Sequence, residues 1–596
     1  MTSSASSMPS ARIQAIACFA DAVRGHAADR PDALAVAHVT EPGTRTGTTE
    51  LSYRELDLMA RRVAAALCRV CAPGDRALLL FPEGLDFAAA FLGCLYAGAV
   101  AVPSPLPGSY KHQQRRVSGI AQDAEPNAII TTAAVLEEVE TFIGNSGQGR
   151  IPLLVMPLAD EAPVDAPRPS GRASLALLQY TSGSTGSPKG VMLTHGNIVE
   201  NADSLVSTFG MTAMTKFGSW IPHYHDMGLT GLMMPAWYAG SSVTVMSPTA
   251  FLKRPVRWLE LVDKHDLAWS AGPNFAYDLC TRTVTEEQLA GLDLSRWRHA
   301  ANGSEPVRAN TLAAFADRFA PAGLRRETLN PCYGLAEATV FVSGTGRRAP
   351  VVRRVAEAAL AEGTLCDADG TEPTPATRDL VSCGTVRGLE AVVVDPESRE
   401  VRPDGQVGEL WLRGTSVAIG YWRNAAETER VFNGTSADGR SGYLRTGDLA
   451  ALDGGELFVT GRISELIIVR GRNIYPQDIE HVAREEIPDL CGLFGAAFGV
   501  RGVDGAELVV LVHEIRASVK AGRLDRVGAD IKQTVAREVG VSVSGLQLVR
   551  RGTVQRTTSG KVQRVAVRNA FLSGQTAALW SSIEPSIQLV ERKIEA

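Results

Sequence analysis

Two loops in this chain end in lysine after a run of glycine and hydroxyl residues, a combination suited to holding an anion. The first runs Leu178-Gln179-Tyr180-Thr181-Ser182-Gly183-Ser184-Thr185-Gly186-Ser187-Pro188-Lys189-Gly190. Glycine permits positive φ and close approach, so the backbone N–H groups of such a loop can turn inward around a phosphate. The hydroxyls of Thr181, Ser182, Ser184 and Thr185 add donors, and Lys189 adds a point charge. A flexible linker has the same composition. The apolar strand pattern before the loop, Leu175 to Tyr180, and the single lysine after it favour the phosphate cradle. No Gly-Lys-Ser/Thr closes the loop, so it is not the phosphate loop of the NTPases. The second loop, Arg556-Thr557-Thr558-Ser559-Gly560-Lys561, repeats the composition near the C-terminus.

Three further stretches carry chemistry-bearing side chains. Trp220-Ile221-Pro222-His223-Tyr224-His225-Asp226-Met227-Gly228-Leu229 places two histidines beside a carboxylate. No third strong ligand is spaced for zinc, so a histidine at a cleft, meeting a substrate carboxylate, is the better reading. In Asn330-Pro331-Cys332-Tyr333-Gly334-Leu335-Ala336-Glu337, Tyr333 stands at a strand-to-turn junction where it can present its ring face. Glu337 is suited to a hard cation. Tyr443-Leu444-Arg445-Thr446-Gly447-Asp448-Leu449 reads as a tight turn whose Asp448 could accept two ribose hydroxyls; an ordinary surface turn has the same wording.

The elements that must position these residues alternate. Ser52 and Glu55 form a capping box ahead of a helix to about Cys68. Pro73-Gly74-Asp75 turns the chain into a strand, Arg76 to Leu80, then a helix, Asp86 to Ala97, then a strand, Ala99 to Val102: a βαβ unit. The segment from Leu158 to Ala173 is rich in Pro, Asp and Ala and reads as a surface loop. Beyond the first lysine loop, helices are expected at Gly196 to Phe209, Gly231 to Tyr238, Pro255 to His265 and Thr311 to Phe319. Strands are expected at Phe217 to Ile221, Ser242 to Met246 and Leu267 to Ser270. Such alternation implies parallel sheet covered on both faces. From about Asp379 to Val459, short Val/Leu strands between Gly and Asp turns suggest a small β-rich subdomain, and from about Gly461 a separate lobe follows.

A chain of 596 residues exceeds one core. Its net charge of −5 gives no electrostatic case for nucleic acid or an anionic membrane surface. Nine scattered cysteines fit reduced thiols in a cytosol, and the Cys68/Cys71 pair reads as core or boundary cysteines. The longest uncharged run, Phe87 to Val102, is too short to span a bilayer comfortably. The N-terminus lacks the basic start and apolar run of a signal peptide. A cytoplasmic protein with no integral membrane contact is expected.

Taken together, the lysine loop at 181–190, the Tyr333 to Glu337 box, Thr446-Gly447-Asp448, Gly461-Arg462 and the Lys561 loop resemble, in that order, the adenylate-forming superfamily of acyl-CoA synthetases, luciferases and peptide-synthetase adenylation domains. The match covers roughly residues 15 to 570. Within it the chain most resembles the fatty-acyl-AMP ligases. The stretches that carry this are His225-Asp226-Met227-Gly228-Leu229, Gly272-Pro273-Asn274-Phe275-Ala276-Tyr277, Asn302-Gly303-Ser304-Glu305-Pro306, and Arg470-Gly471-Arg472-Asn473-Ile474-Tyr475-Pro476-Gln477-Asp478-Ile479-Glu480. So does the long segment from Val342 to Ala376, where CoA-using relatives are shorter. Two departures stand out: Glu465 replaces the usual hinge Asp, and the Lys561 loop lacks the usual Pro-Lys or Pro-Arg pair.

The resemblance implies an α/β fold. An N-terminal adenylation domain, 1–460, would hold two doubly wound sheets, a β-rich subdomain at about 379–459 and an insertion at about 342–376. A smaller, mobile α+β domain, 461–596, would follow. It implies ATP-dependent conversion of a medium- or long-chain fatty acid to acyl-AMP, with Mg²⁺, and transfer to the phosphopantetheine thiol of an acyl carrier protein; the alternative is a fatty acyl-CoA synthetase. The 35 residues after Lys561 are too few for a carrier domain, so the acceptor is expected on another polypeptide, in lipopeptide, polyketide or lipid assembly. By motif, Thr181, Ser182, Gly183, Ser184, Thr185, Gly186 and Lys189 would hold the β and γ phosphates, and Glu337 the metal. Tyr333 and Gly334 would face adenine, with Gly303, Ser304 and Glu305 on its other side. Asp448 would take the ribose hydroxyls, assisted by Arg462. Lys561 would bridge carboxylate and α-phosphate, and Glu465 would be the hinge. An acyl tunnel beside His225 would be lined by Met227, Leu232, Phe275 and Tyr277.

Overall fold

The computed structural model describes residues 16–587 apart from 41–46, 109–110, 146–150, 169, 183–187, 369–373, 375–376, 470–471, 503–505 and 557–560. Two large sheets organise the N-terminal part. One has six strands in the order Leu153–Met156, Ala128–Thr132, Arg76–Leu80, Val100–Ser104, Leu175–Ser182, Pro188–Thr194, parallel except for the last pair. The other has nine, with a parallel centre from Leu329–Gly334 through His299–Asn302, Trp269–Gly272, Phe217–Ser219 and Val243–Met246 to Leu34–Val39. Antiparallel strands close both of its edges.

Helices fill the space between the sheets and cover their outer faces. The helix Leu85–Ala97 is buried from Phe87 onward, because it is apolar all round and has no side to give to water. It packs with Tyr53–Cys68, His195–Phe209 and Met234–Ala239 into one core that touches both sheets. Separate cores lie on the outer faces, under Lys111–Ala124 on one side and under Val256–Lys264, Asn274–Thr283 and Ala309–Phe319 on the other. The capping box of Ser52 and Glu55 is present as expected. The longest uncharged run is thus an interior helix and strand, and no helix among the described residues is long and apolar enough to cross a membrane.

A four-stranded antiparallel sheet follows: Glu390–Val394, Gly408–Arg413, Leu444–Asp453, Glu456–Arg462. Asp448 therefore stands inside a ten-residue strand, which corrects the tight turn expected from Arg-Thr-Gly-Asp. Gly447, at φ +71°, and a register shift at Leu449/Ala450 supply the local bend within the ladder. Ahead of this sheet, Val352–Ala356 and Thr377–Val381 pair as a two-stranded ribbon.

The C-terminal lobe has a hairpin, Ile467–Val469 with Arg472–Ile474, and a four-stranded sheet of Gly495–Arg501, Glu507–Ile515, Val543–Arg550 and Ala578–Ile583. Alternation along the central strand sends Val509 and Leu511 to one face and Val510 and Val512 to the other. The first pair packs under helices Pro476–Glu486 and Leu524–Glu538, the second under Arg564–Leu572.

Candidate active site

The site residues gather at strand ends, where the large sheets, the β-rich sheet and the small lobe meet. Lys561 comes from the small lobe and is only partly exposed. Burial pushes its ammonium below the ordinary lysine value, while Asp226, Glu305 and Asp448 work in the opposite direction. Three carboxylates from three segments of the N-terminal part thus act on one amine through charge, with Arg462 opposing them. Burial also works against the Asp226 carboxylate, yet His225 and Lys561 hold its pKa down at about 2. Glu305 accepts a hydrogen bond from the Phe275 N–H at 2.6 Å, and burial raises its carboxyl above the usual range.

Asp448 has both oxygens engaged. The Tyr333 hydroxyl donates to one and Arg462 Nε to the other, each at 2.6 Å. The Asp448 charge drives the Arg462 guanidinium above its ordinary value. Tyr333 ends the strand Leu329–Gly334. Gly334 is required behind it, since a Cβ there would lie 1.6 Å from the Val340 carbonyl oxygen.

Glu337 sits in a single 3₁₀ turn after that strand. The Tyr421 hydroxyl donates to its Oε1 at 2.8 Å. The loop of Tyr421 is bound to the strand that follows the first lysine loop: the Trp422 N–H donates to the Gly190 carbonyl, and the Met192 N–H to the Gly420 carbonyl. Lys189 Nζ lies 2.6 Å from Glu427 Oε1 and above the Tyr421 ring. Arg430, and after it Lys189, hold the Glu427 carboxyl at about 2. Two non-glycine residues beside these groups adopt left-handed φ, Ser304 at +73° and Thr339 at +70°. Strain of that kind costs about 1–3 kcal/mol and concentrates at functional sites.

His225 caps the turn that begins at Asp226, its Nδ1 lying 3.2 Å from the Met227 amide nitrogen and 2.7 Å from Asp226 Oδ1. The helix expected from Gly231 starts earlier, as an α turn at Asp226–Gly228 and a π turn at Leu229–Met233. Wide turns of this kind are frequent at functional sites. Gly228 fits because a Cβ would meet the Pro222 carbonyl oxygen at 2.1 Å.

Not every expected residue reaches the cleft. Tyr277 is fully buried in the outer core, edge-on to Trp258 and Phe315, with its hydroxyl donating to the Ala301 carbonyl. Leu232 is equally enclosed in the core between the sheets. Neither side chain faces an opening, which leaves the half-buried Met227 and Phe275 as wall residues. Beside His223, a cavity of about 10 Å³ is lined by Phe87, Ile221, Met233 and Met246; that is room for one water and not for an acyl chain. Thr181 lies within the strand Leu175–Ser182, which runs two residues past the expected end at Tyr180, whereas the Ser182 side chain and Gly183, Ser184, Thr185 and Gly186 lie outside the described residues. Glu465 is in a short 3₁₀ turn, paired with Arg564 at 2.7 Å. Tyr421, Glu427 and Arg564 were not singled out by sequence. The aromatic pair Tyr421-Trp422 after Gly420 and the N-cap Asn424 were the available signal.

Asp448 held by Tyr333 and Arg462, Glu337 held by Tyr421, and a lysine from a second lobe are the features to set beside known proteins. The chain belongs to the AMP-binding enzyme family, whose model matches residues 23–422. It is 41% identical to a medium-chain-fatty-acid–[acyl-carrier-protein] ligase, JamA, of Moorena producens, over 88% of this chain and 90% of that protein. It is 39% identical to a 4-hydroxyphenylalkanoate adenylyltransferase of Mycobacterium marinum, over 87% and 85%. Among solved structures it resembles a fatty acyl-adenylate ligase of L. pneumophila in complex with acyl adenylate and pyrophosphate, with a TM-score of 0.72 and 33% identity over 96% of this chain and 99% of that one.

Proposed function

We propose that this enzyme activates a fatty acid with ATP to acyl-AMP and passes the acyl group to the phosphopantetheine thiol of a separate acyl carrier protein. The observation that carries the chemistry is Lys561: an ammonium from the small lobe within electrostatic reach of Asp226, Glu305 and Asp448 on the N-terminal part. The carrier reading is supported by the printed activity of the Moorena relative.

In the first half-reaction a carboxylate oxygen attacks the α-phosphorus, the bond to the bridging oxygen breaks, and pyrophosphate leaves. No proton has to move, because a fatty acid with a pKa near that of glutamic acid, about 4.3, is ionised at pH 7. The task is to bring two anions together, so alignment and charge stabilisation dominate. Lys561 bridges the substrate carboxylate and the α-phosphate. The ribose hydroxyls take over Asp448 from Tyr333, whose freed ring stacks on adenine, with Gly303 and Ser304 on the other side. The 181–186 loop and Lys189 take the terminal phosphates. Glu337 and the loop hydroxyls are hard oxygen donors that fit Mg²⁺, an ion usually held by one or two carboxylates plus substrate phosphates; bound there it would neutralise the departing pyrophosphate. His225 orients the fatty carboxylate beside Met227 and Phe275.

In the second half-reaction the carrier thiol attacks the acyl carbon and AMP leaves. The small lobe turns about Glu465 between the two steps, and the 342–376 insertion limits that turn in a way that disfavours CoA. Mass spectrometry decides between acceptors: fatty acids and ATP are incubated with phosphopantetheinylated carrier or with CoA. Acyl-AMP and acyl-carrier are expected, and rapid acyl-CoA formation would refute the carrier reading.

A further inference from the structure

Tyr421 contacts the proposed metal ligand yet has no part in the chemistry outlined above. Its hydroxyl donates to Glu337 Oε1 at 2.8 Å, across 84 residues of sequence. Its ring is wedged edge-on against Phe432, 5.2 Å between centroids, at the end of the helix Ala425–Phe432. Its own N–H donates to Thr428 Oγ1 on that helix. The backbone on both sides is tied to the strand Pro188–Thr194, and the Ala418 N–H donates to the Glu337 carbonyl. The hydroxyl is therefore held on three sides and has one acceptor, the carboxylate.

We propose that Tyr421 is the positioning residue for the metal-binding carboxylate: by fixing Oε1 it fixes the direction in which Glu337 offers its other oxygen to a divalent cation on the nucleotide phosphates. This rests on Glu337 being the metal ligand. The geometry has a clear physical purpose. Glu337 sits in one 3₁₀ turn, where a long side chain has several rotamers, and a single carboxylate ligand cannot select among them alone. Partners in the outer shell of a metal site set ligand orientation, and their loss costs about 10–100-fold in metal affinity. Lys189 and Glu427, paired beneath the same ring, place the neighbouring phosphate contact on the same support.

The test measures metal binding without turnover. Mn²⁺ is titrated into full-length protein saturated with α,β-methylene-ATP, which cannot be cleaved at the reacting bond, and free Mn²⁺ is read by electron paramagnetic resonance. Tyr421→Phe keeps the ring against Phe432 and is expected to weaken Mn²⁺ binding about 10–100-fold, with analogue affinity measured without metal unchanged. Glu337→Gln is expected to abolish the protein-dependent component, and adding Tyr421→Phe to it is expected to change nothing further. Glu337→Asp, which withdraws the carboxylate from the hydroxyl, is expected to reproduce the weakening without touching Tyr421. Wild-type Mn²⁺ affinity in Tyr421→Phe, with Glu337→Gln defective, would overturn the positioning role and leave the metal ligand standing. Wild-type affinity in Glu337→Gln would overturn both.

Discussion

The resting cleft is filled by its own charges. Asp226, Glu305 and Asp448 act on the Lys561 charge, and Asp448 is claimed by Tyr333 and Arg462. Substrate binding is therefore an exchange of partners. Losing one preorganised donor of this kind costs about 10²–10³ in rate, and Lys561→Ala is expected to lose that much acyl-AMP formation, measured by pyrophosphate release. The ammonium form is the working one, so activity persists below its pKa and falls as pH rises through it. Because burial lowers that pKa, the alkaline limb is expected below the ordinary lysine value of about 10.4. In Lys561→Arg the limb should leave the accessible range, and a limb that persists there would belong to another group. Lys561 and Asp448 were singled out because the order of several short motifs along the chain, none decisive alone, matched a known family. Tyr421 and Arg564 were not, since each acts on a partner 84 or more residues away, and a single sequence does not print such pairs.

Among the elements, the turn at Glu465 and the helix Arg564–Leu572 are joined by charge. Arg564 gives Nη1 to Glu465 and two further donors to Glu480, three residues beyond the catalytic lysine. Glu465, the proposed hinge, thus reaches a guanidinium on the first residue of the helix that follows the Lys561 loop. A hydrogen bond to a charged group is worth about 1.5–3 kcal/mol, so Glu465→Gln is expected to slow adenylation by roughly 10–100-fold. Transfer from added acyl-AMP to carrier should change less. Equal loss in both half-reactions would assign the pair to stability alone. Helices and buried strands were read close to their true limits where apolar pattern and capping agreed, as at Tyr53–Cys68 and Arg76–Leu80. The π turn at Leu229–Met233 escaped, because its period is neither that of a helix nor that of a strand. Asp448 was placed in a turn for a similar reason: a glycine with positive φ inside a bulged strand has the composition of a turn.

At the scale of the molecule, the two-stranded ribbon Val352–Ala356 with Thr377–Val381 contacts the small lobe. Arg378 on the strand Thr377–Val381 pairs with Asp478 at 2.6 Å and covers the Tyr475 ring at 4.7 Å. Val355, Leu360 and Leu365 share a core with Tyr475. Arg378→Ala removes both contacts, and it is expected to raise acyl-CoA formation from acyl-AMP and CoA relative to transfer to carrier; an unchanged ratio would separate the ribbon from acceptor choice. Sequence texture showed a long segment and a separate lobe, yet it did not show that they touch, because the residues concerned look like ordinary surface on each side. The small lobe, meanwhile, keeps two interiors of its own, one on each face of its sheet. The proposed rotation of the lobe would leave both interiors intact, like a door swinging on a braced frame, and would have to release the latch at Arg378 and Tyr475 and the Arg308–Gln477 bond.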